Sequence, residues 1–129
     1  MTVAAGKAAA RSYFEQLLNC GSMAVADTIF TPAVRFQYPL GDLNGVQAVK
    51  NYIAAVREAF PDIVFTVSDL FGEDDLVAAR WSLTATQTGS FRGKPASGKR
   101  VAVAGNTVFR LEDGRIAEMW VAFDPAKLA

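Results

Sequence analysis

The sequence contains no histidine. That removes imidazole acid–base catalysis, histidine-based nucleophile triads and His-liganded zinc from what one chain can do. Any acid or base must be a carboxylate, a tyrosine, a lysine or the lone thiol. Cysteine occurs once, as Cys20, so an internal disulfide is impossible and nothing asks for an oxidising compartment. At the end of a helix, with no base nearby in sequence, Cys20 is expected to be a small buried hydrophobe. Neither charge is in excess, because 13 Lys and Arg balance 13 Asp and Glu. A nucleic-acid-binding domain normally carries a basic surplus. No apolar run approaches the roughly 20 residues of a membrane span. The opening "MTVAAGKAAARSYFEQL" has a lysine and an arginine inside its alanine-rich part, and reads as a first helix rather than a secretory signal. No nucleic acid, no membrane and a cytoplasmic location are the resulting expectations.

Half of the 129 residues are hydrophobic, enough for one domain over residues 1–129 with a real core and room for a pocket. Residues 7–19 place Ala10, Tyr13, Phe14, Leu17 and Leu18 at helical spacing, with Gly21 as a stop. Ser22 can cap a second short helix carrying Met23, Ala26, Ile29 and Phe30, which Thr31-Pro32 should end. "VRFQY", residues 34–38, alternates as a strand and is closed by Pro39 and the turn-rich "GDLNG". Val46, Val49, Ile53, Val56 and Phe60 mark a third helix, broken by Pro61. The apolar period then changes from that of a helix to two. "IVFTVSDL", "LVAARWSLTATQT", "VAVAGNTVFRL" and "RIAEMWVAF" read as four strands of a meander, the last two joined by Asp113-Gly114. Helices gathered on one face of a mainly antiparallel sheet make an α+β fold.

One stretch suggests a different function. "GKPASGKR", residues 93–100, fits all but the last place of the phosphate-cradling G-x-x-x-x-G-K-[ST] loop. The last place is Arg100, without a hydroxyl for Mg²⁺, and a valine-rich strand follows where a helix N-terminus is required. A lysine-bearing hairpin loop is the better reading.

Strand alternation sorts the side chains. Val101, Val103, Gly105, Thr107, Phe109 and Leu111 share one face and should lie under the helices, with Val77, Ala79, Trp81 and Leu83 and with Met119, Val121 and Phe123. The opposite face carries Ala102, Ala104, Asn106, Val108 and Arg110, small and weakly polar, as a surface buried against a second copy would be. Alternation puts Trp120 on that outer face too. A cone of sheet closed by helices and lined by Trp, Phe, Val and Met suits a flat hydrophobic ligand; the same residues could equally just fill a core.

"AFPDI", "DDLVAARW", "GSFRGKPASGKRV" and "LEDGRIAEMWVAFD" occur in order and at intervals that resemble the SnoaL-like polyketide cyclases, within the nuclear-transport-factor-2-like superfamily, over about residues 8–128. The resemblance implies a cone-shaped curved sheet with three N-terminal-half helices on its concave face, an enclosed apolar pocket and a homodimer. The cyclases proper close a ring by intramolecular aldol condensation without metal or organic cofactor. Aligned through Asp113-Gly114, their acid–base aspartate falls on Val121 here, and their common histidines fall on Gln87 and Gln37. A polar pair on the next-to-last strand becomes Gly105 and Thr107. Similar cones hydrolyse epoxides with two aspartates and an arginine, but Ser82 stands where a carboxylate would be needed.

The chemistry left to the chain rests on Asp124, at a family position often acidic. At the mouth of an apolar pocket it would act as general base toward an acidic C–H, and before Pro125 it would instead cap a turn. Arg80, if a bulge turns it inward, or Gln87 would stabilise the enolate. Asp62 in "FPD" is expected to cap the turn into the next strand. Tyr38, Tyr52, Trp81, Thr107, Phe109, Met119, Val121 and Phe123 are the expected substrate contacts. The leading expectation is a cofactor-free cyclase-like or isomerase-like protein for a hydrophobic, polyketide-type molecule. The alternative is a non-catalytic binder of such molecules that has lost the acid–base residue.

Overall fold

The computed structural model describes residues 2–128, so the two outermost residues of the expected 1–129 domain lie outside the described residues. Helix α1 (Val3–Ser12) starts at Thr2, whose hydroxyl accepts a hydrogen bond from the Ala5 amide at 3.1 Å. It continues as a π-helical stretch, Tyr13–Leu18, whose wider turn buries Tyr13, Phe14, Leu17 and Leu18 together. Such stretches are rare and gather at functional sites. A 3₁₀ turn (Met23–Val25) and the one-turn helix α2 (Ala26–Ile29) follow.

Strand β1 spans Phe30–Tyr38, which corrects the expectation that Phe30 belongs to a helix ended by Thr31-Pro32. Pro32 falls in the irregular stretch between the Phe30↔Ile116 and Arg35↔Glu118 pairs, where its missing N–H interrupts no ladder bond. The "GDLNG" segment also holds more than a turn. Gly41–Asn44 form β2, paired antiparallel with β1 from Tyr38↔Gly41 to Arg35↔Asn44. As a short, largely exposed edge strand it needs no apolar alternation, and so leaves little sequence signal.

Helix α3 (Val46–Ala59) precedes β3 (Val64–Glu73), β4 (Leu76–Thr86), β5 (Arg100–Glu112) and β6 (Arg115–Phe123), and the 3₁₀ turn Pro125–Leu128 ends the described chain. Asp113 and Gly114 both have positive φ, 53° and 79°, the backbone of the tight hairpin turn expected there. The six strands form one curved, unclosed sheet in the order β2-β1-β6-β5-β4-β3, antiparallel except for the β1–β6 pair. Among the described residues no helix is long and apolar enough to cross a membrane.

The register lines up inward side chains in cross-strand rows. Phe36, Met119, Phe109 and Val77 form one, Val121, Thr107, Ala79 and Leu70 the next, and Phe123, Gly105, Trp81 and Val67 the third. The first row is closed by the α1 end, where Phe109 meets Tyr13 and Phe14 edge-on at 5.7 and 6.0 Å. Polar ties fasten the helices to the sheet. The Asn19 side chain acts as a strand partner, donating to the Phe65 carbonyl (3.0 Å) and accepting from its amide (2.7 Å). Arg57 Nη1 donates to the carbonyls of Leu18 and Asn19 at 2.6 and 3.0 Å, satisfying the end of the π stretch. On the outer face Glu118, with 12% of its side chain exposed, accepts from Gln37 and pairs with Arg35 and Arg110. Cys20 is exposed, contrary to expectation, because the chain leaves the helix at Asn19 with its next side chain turned outward.

Phe109 makes no contact with solvent and sits beneath two edge-on rings. Phe109→Ala should destabilise the fold by about 3–5 kcal/mol in urea unfolding. Asp62 Oδ1 accepts from the Thr86 amide at 2.7 Å, and this bond holds its carboxyl below the ordinary value of 3.8. A depressed folded-state value means that the contribution is full above the unfolded value and is lost as pH falls through the folded one. The difference in stability between wild type and Asp62→Ala should therefore shrink on acidification below about pH 4, measured by urea unfolding across the acid range.

Candidate functional site

Between the concave face and the helices lies an apolar cavity of about 60 Å³. Its roof is one stripe of α3, Tyr52, Ile53, Val56 and Arg57, and Phe60 just after it, with Tyr13, Phe14 and Leu18 from the π stretch. Its floor is built by the register described above: Trp81 and Leu83 from β4, Thr107 from β5, Val121 and Phe123 from β6, Phe36 from β1 and Phe65 from β3. Ile63 and Phe91 close the side.

Trp81 organises the floor. Its indole N–H donates to Thr107 Oγ1 at 2.9 Å, and both groups are buried. Its ring packs on Phe65 (5.3 Å) and Phe123 (6.3 Å). The indole lies where a Cβ on Gly105 would be, and that Cβ would also stand 2.6 Å from the Ala122 carbonyl oxygen. Gly105 is thus a place left empty for the indole.

The polar content of the wall is small. Arg57 is its one charged side chain, and that guanidinium caps the end of the π stretch. Among the described residues no carboxylate lines the cavity. Thr107 uses a lone pair on Trp81 and keeps its own proton to give. Burial pushes the Tyr13 phenol far above its ordinary value, with the nearby Tyr52 phenol adding to the rise. Tyr52 is raised by burial first and by Tyr38 second, against an opposing pull from Arg92. Both phenols therefore stay neutral. They can donate hydrogen bonds but cannot serve as bases near neutral pH.

The three residues expected to perform catalysis do not meet here. Asp124 is exposed; its carboxylate accepts from the Ala126 amide at 3.0 Å, and its carbonyl from that of Lys127 at 3.1 Å, capping the last 3₁₀ turn. Arg80 stays on the outer face of β4, because the alternation there is unbroken, and its Nε donates to Asp69 at 2.6 Å. Arg80 and Asp124 do share a shallow depression with Ala104, Asn106 and Ala122, but on the outer side of the sheet. Gln87 is buried yet fully occupied. Its amide nitrogen donates to the carbonyls of Gly89 (3.1 Å) and Pro95 (3.2 Å), and its oxygen accepts from Ser97 (3.1 Å). It folds the 87–99 loop, which passes into β5 with no helix, as a hairpin connection should. Asp124, Arg80 and Gln87 are thus held in three separate places, none of them on the cavity wall.

Of the expected contacts, Tyr52, Trp81, Thr107, Val121 and Phe123 line the cavity. Phe109 and Met119 lie one row away, in the solid core. Tyr38 stands at the rim, packed at a tilt against Tyr52 at 4.9 Å. Sequence reasoning missed Tyr13, Arg57 and Phe91 as lining residues. The helical spacing of residues 7–19 marks Tyr13 as a core position, whereas nothing local to Phe91 signals that a hairpin loop turns it inward.

A curved, unclosed sheet with three helices on its concave side is the nuclear-transport-factor-2-like architecture. Within it the chain belongs to the SnoaL-like polyketide cyclase family, whose sequence pattern matches residues 8–129. Among solved structures it resembles a candidate SnoaL-like polyketide cyclase from Jannaschia Sp. CCS1, with 26% identity, 97% of this chain and 89% of that one covered, and a TM-score of 0.90. TsrD from Streptomyces laurentii is similar at 26% identity, with 99% and 94% covered and a TM-score of 0.88. AclR from Streptomyces galilaeus, a candidate hydroxylase, shares the fold at 24% identity, with 98% and 94% covered and a TM-score of 0.84. No match was found among curated proteins.

Thr107→Val keeps the shape of the floor but leaves the Trp81 N–H without an acceptor. It should lower stability by about 1–3 kcal/mol in urea unfolding, whereas a smaller loss would mean that the indole finds another partner.

Proposed function

We propose that this protein holds a flat, hydrophobic small molecule on the concave face of its sheet, and does so without carboxylate acid–base catalysis. The observation that carries the reading is the composition of the cavity wall, which among the described residues has aromatic and aliphatic side chains, three neutral hydroxyls and no carboxylate. Deprotonating a C–H to start ring closure needs a base within hydrogen-bond reach of it. Val121 occupies the floor where the related cyclases carry their aspartate, and a valine cannot take a proton. The hydroxyls of Tyr13, Tyr52 and Thr107 can orient a carbonyl by donating to it. At about 60 Å³ the cavity is well below the several hundred Å³ usual for ligand sites. Entry therefore requires side chains at the mouth to give way, and half-buried Tyr52, Val56, Val121 and Phe123 are placed to do so.

The molecule is also proposed to act as a homodimer through the outer face of the sheet. Phe71, Ala78, Val108 and Trp120 form one cross-strand row there, with Phe71 62% and Trp120 38% exposed. The row is flanked by small residues, Ala104, Asn106 and Ala122, which let a second sheet approach closely.

Calorimetric titration with methyl 2-naphthoate, a flat uncharged probe, tests the first proposal. Val121→Trp should weaken binding at least about tenfold by filling the floor, while Asp124→Asn and Arg80→Gln leave it unchanged. Equal affinity in Val121→Trp would place the ligand elsewhere. For the second, light scattering should give twice the chain mass for wild type and the single chain mass for Trp120→Lys. A wild-type monomer at micromolar concentration would end the dimer proposal.

A further inference from the structure

The loop between β4 and β5 brings a cation to the rim of the cavity. Phe91 turns inward, packs edge-on against Phe60 at 5.4 Å and lines the cavity. The next residue, Arg92, is exposed and has a φ of 51°, in the left-handed region that non-glycine residues seldom occupy. The Phe91–Lys94 backbone pair, bonded in both directions at 2.9 Å, holds this turn. Arg92 Nη1 donates to the Tyr38 hydroxyl at 3.4 Å, a long contact with room for a stronger acceptor. None of the ion pairs among the described residues uses Arg92.

Beneath that guanidinium the aromatic rings run continuously into the cavity. Tyr38 packs at a tilt against Tyr52 at 4.9 Å and edge-on against Phe36 at 5.4 Å, Phe36 and Tyr52 are 5.7 Å apart, and both of these line the wall. Tyr52, held neutral by burial, is a hydrogen-bond donor and not a competing anion. A cation unclaimed by any carboxylate, two phenols and an apolar cavity below them form a polarity gradient that a purely apolar ligand would leave unused.

We propose that the rim formed by Arg92, Tyr38 and Tyr52 binds the carboxylate head of a ligand whose flat apolar body enters the cavity. This rests on the cavity being a ligand site, and it adds the ligand's charge. Arg92 pairs with the carboxylate and the phenols donate to it, since charge-assisted bonds are stronger than the neutral contact they replace. Phe91 and Arg92 are neighbours on one loop, so the segment that closes the cavity is also the one that carries the anion's partner.

The test compares 2-naphthoate with its methyl ester by titration calorimetry at neutral pH, on wild type, Arg92→Gln and Phe91→Ala. Wild type should bind the acid about tenfold more tightly than the ester. Arg92→Gln, an exposed change that touches no core residue, should abolish that preference, so that acid and ester bind alike. Added salt should weaken acid binding alone. Equal binding of acid and ester by wild type, or an acid preference that survives Arg92→Gln, overturns the carboxylate site and leaves the cavity reading standing. Failure of both probes to bind wild type and Phe91→Ala, whose cavity is larger, overturns both.

Discussion

The concave side of this molecule depends on one contact, the Trp81 indole lying across Gly105. A side chain at residue 105 of any size would displace the ring, so the absence of a Cβ sets where the largest floor residue sits. The N–H bond to Thr107 then fixes the ring's rotation, and Phe65 and Phe123 hold its edges. β3, β4, β5 and β6 are all tied to this arrangement. The position of Trp81 determines how much of the concave side is cavity and how much is core.

The second constraint is the sidedness of the sheet. Alternation sends Arg35, Arg80, Arg110 and Glu118 outward, a bulge between Val67 and Asp69 turns Asp69 out beside Arg80, and these charges pair with one another while apolar side chains face inward. A carboxylate facing in would need a partner to offset its desolvation, and the one wall cation, Arg57, already serves two backbone carbonyls. The interior therefore presents apolar surface and the hydroxyls of Tyr13, Tyr52 and Thr107. Family membership and this chemistry are compatible, because a fold hosts many activities and the site decides among them.

Much of the fold was legible in local patterns. The α3 period, the alternation of β4, β5 and β6, and the Asp113-Gly114 turn each have a strong physical signal, and each element lies where that signal puts it. The missed strand β2 and the strand character of Thr31-Pro32 had none. β2 is exposed and polar, and Pro32 is admitted only by an irregular β1–β6 register that depends on residues more than 80 positions away. The site divides in the same way. Trp81, Thr107, Val121 and Phe123 follow from facing inward on neighbouring strands, whereas Phe109 and Met119 face the same way and are core, because the register sets them under α1.

What the sequence determined by itself was which side chains are available for chemistry and the inward faces of β4 and β5. A chain without histidine, whose β4 and β5 alternate with period two, turns an apolar face inward where those strands pair. Tertiary structure alone decided which inward residues border empty space, that Asp124 caps a turn, and that a hairpin loop sends Phe91 in and leaves Arg92 at the rim. Those outcomes depend on cross-strand register and on where helices land on the sheet. Both are set by contacts between residues far apart in the chain, and no local pattern encodes them.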